Sequence, residues 1–64
     1  MQVNGQDHTH QEGLTLLGLL NQFGIAKERV AVMVNDQIYP AGQLEDVVLQ
    51  PEDVIEIVKA MQGG

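Results

Sequence analysis

Sixty-four residues without one cysteine must be held together by buried side chains, because neither a disulfide nor a thiolate-bound metal can staple this chain. A domain of this size buries only about 60% of the surface its unfolded form exposes, so a single efficient core is required. The aliphatic residues suffice for one such core, with Leu14, Leu16, Leu17, Leu19 and Leu20 in one run and Val30, Val32, Val34, Ile55 and Ile57 in two others. They leave no room for a second core or for the multi-loop pocket most enzymes build. A cysteine nucleophile is excluded outright.

The valine-rich segments show what the core is built from. Arg29 to Val34 is β-branched and alternates, so Val30, Val32 and Val34 are expected to face inward and Ala31 and Met33 outward. Asn35-Asp36 is a turn, Gln37-Ile38-Tyr39 a short return strand, and Pro40 its end, since Pro has no N–H for a ladder. The last strand is Val54 to Lys59, with Ile55 and Ile57 inward and Val54, Glu56 and Val58 outward. Gln50-Pro51-Glu52-Asp53 is the turn that precedes it, and Leu44, Val47 and Leu49 read as short irregular or 3₁₀ structure packed under the sheet.

Upstream, Asn4-Gly5 is the strongest short hairpin signal a sequence carries. Met1 to Val3 is therefore a strand, and Gln6 to His10 its polar return, an edge strand closed by the loop Gln11-Glu12-Gly13. A helix is expected from about Thr15, its N-cap, to Phe23, with Gly24 as the C-terminal stop. Leu16, Leu20 and Phe23 fall on one face, broadened by Leu17 and Leu19, and Gly18 points to close packing against a neighbouring strand. A helix between a hairpin and the central strands demands a crossover, with the first and last strands side by side. The expected class is α+β, a ubiquitin-like β-grasp: a mixed sheet of four to five strands with one main helix on one face.

Nine carboxylates oppose Lys27, Arg29 and Lys59, a net charge of −6 that argues against binding a phosphate backbone and favours a basic partner surface. No run approaches the ~20 apolar residues of a membrane span, and the start of the chain lacks a charged region followed by an apolar one, so the expected location is the cytoplasm. His8 and His10 fall on one face of the expected edge strand, but two imidazoles make half a metal site, and an exposed polar strand is the simpler reading. Glu45-Asp46 and Glu52-Asp53 are adjacent and do not face one another, so they read as solvated turn carboxylates or a steering surface rather than an acid and base pair.

The sequence closes on Gly63-Gly64, directly after the last strand and Ala60-Met61-Gln62. Residues 1–59 are the expected domain and 60–64 a flexible tail. Glycines without side chains present no obstacle to an enzyme that draws a main-chain carboxylate through a narrow channel, which points to the Gly64 carboxylate as the reactive group.

Taken together, the Val3-Asn4-Gly5 hairpin, the Leu-rich helix closing at Gly24-Ile25, Arg29-Val30-Ala31-Val32 with Asn35-Asp36 after it, Pro51-Glu52-Asp53 before the last strand, and Gly63-Gly64 resemble the ThiS-like sulfur carrier proteins of thiamine biosynthesis over essentially the whole chain. Asp7-His8-Thr9-His10 is more polar than that pattern, and Ala60-Met61-Gln62 is not diagnostic of it. The resemblance implies a substrate rather than an enzyme, with no cofactor bound stably. A ThiF-like adenylyltransferase uses ATP and magnesium to adenylate the terminal carboxylate. A sulfur donor such as a cysteine desulfurase then converts it to a thiocarboxylate, and a ThiG-like thiazole synthase takes the sulfur. Carried over by position, Gly64 bears the adenylate and the thiocarboxylate, while Gly63, Gln62 and Met61 form the tail. Ala31, Met33 and Val58, with Tyr39, then form either a partner-docking patch beside the tail or an ordinary half-covered sheet face. A molybdopterin-synthase-type carrier, a protein modifier joined through Gly64 to lysines, and an interaction module with incidental glycines remain as alternatives; neither nucleic acid nor membrane is an expected partner.

Overall fold

A computed structural model describes residues 1–59. Its strands are β1 (Gln2–Val3), β2 (Gln6–Asp7), β3 (Val30–Val34), β4 (Gln37–Tyr39) and β5 (Val54–Lys59), with one helix, α1 (Leu16–Phe23), and a 3₁₀ turn at Lys27–Arg29. They form one sheet in the order β2-β1-β5-β3-β4, in which β1 and β5 run parallel and every other neighbouring pair is antiparallel. The first and last strands thus lie side by side at the centre, the β-grasp arrangement.

The helix forms where its ends are satisfied. Thr15 is extended, and its Oγ1 accepts the Gly18 N–H at 3.2 Å. The Asp46 carboxylate accepts a second first-turn donor, Leu17 N–H, at 3.1 Å. At the other end Gly24 takes the left-handed conformation, φ 70°, and its N–H reaches back to Leu20 and Asn21 carbonyls. The buried stripe is Leu16, Leu19 and Leu20. Phe23, expected in that stripe, lies at its edge and meets the His8 ring at a tilt of 49°, with centroids 5.3 Å apart. Gly18 is close to its own helix's cap and not to a strand: a Cβ there would meet Thr15 Oγ1 at 3.2 Å and Leu14 Cδ1 at 3.5 Å.

Those leucines pack with Val3, Val30, Val32, Val34, Leu49 and Ile55 into one core. Burial of each such side chain contributes about 1.5–3 kcal/mol, which explains how a chain without staples holds its shape. Leu49 reaches the core because residues 47–49 run extended beside the start of α1, with Leu16 N–H bonded to Val47 O and Leu49 N–H to Leu14 O, each at 2.8 Å. Leu44, Val47 and Leu49 are irregular, as expected, with one isolated antiparallel bridge between Val48 and Thr15.

Two other expectations are corrected. The return strand β2 is Gln6–Asp7 instead of running to His10: His8 N–H still bonds Met1 O at 2.9 Å, but beyond it His10 Nε2 donates to Leu49 O at 2.7 Å. Arg29 belongs to the 3₁₀ turn, and β3 begins at Val30.

Candidate functional site

The two asparagine turns prepare the site. Asn4 and Gly5 both have positive φ, 53° and 82°, as a two-residue hairpin requires, and they fix the pairing of Val3 with Gln6. Asn35, also left-handed at φ 54°, begins the two-residue connection that sets Val34 opposite Gln37. That register fixes the parity of everything on β4. Ile38 stands opposite Met33, and Tyr39 stands opposite Val32.

On the face away from α1, therefore, Ile38 and Met33 lie side by side, and Ala31 lies opposite Val58 on the adjoining strand. Ile38 is 64% exposed, Val58 57% and Met33 38%, while Ala31 is half-buried. Glu56 follows Met33 across the strand pair and is exposed. The expected Ala31, Met33 and Val58 thus share one open face, but Tyr39 does not join them. It occupies the Val32 side and packs against the core. Ile38 is the member that residue-by-residue reading missed, and counting strand parity across the two-residue Asn35-Asp36 turn would have found it.

Strand β5 carries this face toward the end of the sequence. Its register against β3 continues to Lys59, opposite Val30. Gly64, Gly63, Gln62 and Met61 lie outside the described residues.

The other candidates separate in space. Among the described residues no group of three or more His, Asp or Glu side chains is placed to hold a metal ion. His8 is occupied with Phe23 and His10 with the Leu49 carbonyl. Glu45, Asp46 and Glu52 are exposed, as solvated turn carboxylates should be, and two of the four also bond locally: Asp46 caps α1, and Asp53 accepts Gln50 N–H at 2.8 Å and Asn35 Nδ2–H at 2.9 Å. A pocket of about 230 Å³ is lined by Lys27, Glu28, Gly42 and Leu44, none of which belongs to the open sheet face. No helix among the described residues is long and apolar enough to cross a membrane.

The described residues thus form a β-grasp domain whose sheet carries an open, largely apolar strip on the face away from α1. The chain is 38% identical over 53 residues to the sulfur carrier protein ThiS of Thermus thermophilus, covering 83% of each. It is 44% identical over 62 residues to a thiazole synthase of Magnetococcus marinus and 31% identical over 62 residues to one of Paramagnetospirillum magneticum. Each match takes in 97% of this chain, which spans 19% of the length of either thiazole synthase. The model of the ThiS family matches residues 1–64, the whole sequence from hairpin to diglycine. The chain belongs to the ThiS family.

Proposed function

We propose that this protein is a sulfur carrier for thiazole formation in thiamine biosynthesis, and that the Gly64 carboxylate is the group that carries the sulfur. The observation that supports this most is the whole-chain family match on a β-grasp sheet whose central strand leads to Gly63-Gly64. A relative named as the sulfur carrier and two named as thiazole synthases point to the same pathway.

A carboxylate is a poor electrophile, so the chain depends on a partner for activation. An adenylyltransferase joins the Gly64 carboxylate to the α-phosphorus of ATP·Mg and releases pyrophosphate. A sulfur nucleophile, supplied by a donor such as a cysteine desulfurase, then attacks the acyl carbon and expels AMP. Where that nucleophile is a desulfurase persulfide, the product is an acyl disulfide; a second thiol attacks the donor's own sulfur, forming a disulfide there and releasing the Gly64 thiocarboxylate, which the thiazole synthase consumes. The chain itself contributes the carried carboxylate, a slender approach through Gly63, and a surface for docking. Ala31, Met33, Val58 and Ile38 are that surface, an apolar strip on an acidic protein that suits a partner whose apolar contact is rimmed by basic residues.

Intact-mass measurement of the protein, after incubation with a ThiF-type adenylyltransferase, ATP, magnesium and a sulfide source, tests this reading. The expected product is heavier by the exchange of one oxygen for one sulfur, localised to Gly64. An unchanged mass with a partner of demonstrated activity removes the carrier role, and a covalent link from Gly64 to a lysine replaces it with protein modification.

A further inference from the structure

Strand β1 is too short to accompany β5 along its length. Only Gln2 and Val3 pair with it, opposite Val54 and Ile55, while β5 continues to Lys59. The main-chain rungs on this side are Gln2 N–H to Asp53 O at 3.0 Å and Asn4 N–H to Ile55 O at 2.8 Å. The next rung requires an acceptor for Ile57 N–H, but the backbone has already turned away through the left-handed Asn4 and Gly5. The Asn4 side chain fills the gap: its Oδ1 accepts Ile57 N–H at 2.7 Å, a contact spanning 53 residues. Among the described residues this carboxamide is the last polar hold on β5 from the β1 side.

We infer that Asn4 is a positioning residue for activation of the chain end, fixing the second half of β5, through Lys59, for the partner that acts on Gly64. This rests on the carrier reading above. Asn4 satisfies two demands together, a left-handed backbone at the first turn position and a side-chain acceptor at the height of a missing carbonyl. Glycine meets the first demand alone, and aspartate meets both. Without the bond, the last residues of β5 are held from the β3 side only, and the partner must order them on binding. That penalty falls on association and leaves the reacting groups unchanged.

The test compares Asn4→Gly and Asn4→Asp, both of which preserve a favourable hairpin turn. Carrier-dependent ATP–pyrophosphate exchange by a ThiF-type adenylyltransferase gives KM and kcat for each chain, and amide hydrogen exchange gives the protection of Ile57. Asn4→Gly is expected to lose Ile57 protection and to raise KM for the carrier about fivefold, the scale of one hydrogen bond, with kcat nearly unchanged. Asn4→Asp is expected to keep the protection and to stay within about twofold of the unaltered KM, since its carboxylate accepts the same N–H. A wild-type KM for Asn4→Gly, or Asn4→Asp as impaired as Asn4→Gly with Ile57 still protected, overturns the inference. Failure of the unaltered chain to support exchange with an active partner is a different result, which overturns the carrier reading together with this one.

Discussion

Asn35 and Asp53, 18 residues apart, are clasped side chain to side chain, with Asn35 Nδ2–H donating to Asp53 Oδ1 at 2.9 Å. The same asparagine accepts Val54 N–H on its Oδ1 at 3.0 Å and donates its own backbone N–H to Val54 O at 2.8 Å. The second carboxylate oxygen of Asp53 holds Gln50 N–H, closing the turn that launches β5. One turn between β3 and β4 and another before β5 are thereby a single hydrogen-bonded unit at one end of the central strand.

Asn35→Ala is expected to destabilise the domain by about 3 kcal/mol, from two lost side-chain bonds and a left-handed backbone that alanine disfavours. Asn35→Gly removes the bonds without the backbone strain, so it should be milder by about 1 kcal/mol. Urea unfolding of the two variants measures that difference, and equal losses would show that the conformation of Asn35 is not strained.

Leu16 is fully buried beneath the sheet, and Leu16→Ala should cost about 2–5 kcal/mol through lost transfer energy and the cavity left behind. In a domain this small that is most of the available stability. Circular dichroism is expected to show a largely unfolded population, and a cooperative transition close to the wild-type midpoint would contradict the packing described.

Val58→Asp places a charge on the open face, where Val58 is 57% exposed. Folding stability should shift by only about 0.5 kcal/mol. On the docking proposed above, affinity for a ThiF-type adenylyltransferase, measured by calorimetry, should fall at least about tenfold, because a carboxylate is then desolvated against an apolar surface; unchanged affinity removes this face as the docking surface. Met33→Asp and Ile38→Asp should behave alike. Tyr39→Ala makes the contrast, lowering stability with little effect on partner affinity, since Tyr39 packs on the core side.

Thr15→Ala and Asp46→Ala each free one donor in the first turn of α1, and each should cost about 1 kcal/mol in thermal or urea unfolding. The double variant should lose close to the sum, because the two acceptors serve different N–H groups.

Features written in local chemistry were legible in the sequence. Alternation of Val30, Val32 and Val34, the Asn4-Gly5 turn, Thr15 and Gly24 at the ends of α1, and the pairing of first and last strands all follow from neighbouring residues or from one topological rule. What escaped depends on partners far along the chain. Beyond strand β2, His10 is tied to a carbonyl 39 residues away, and Asp46 is a cap only because the fold brings it to Leu17, 29 residues before it. Ile38 was overlooked in favour of Tyr39 for a different reason, since a one-residue error in parity exchanges the two faces of a strand.

The central place of β5 has a consequence for how the domain comes into being. Both of its neighbours, β1 and β3, precede it in the chain, and the two do not pair with one another. Without Val54 to Lys59 the sheet has only its two outer strand pairs and no strand to join them. The leucines of α1 then have only part of their final cover. Such a domain must assemble late and all at once, and completion of the fold coincides with delivery of the segment that leads to Gly64.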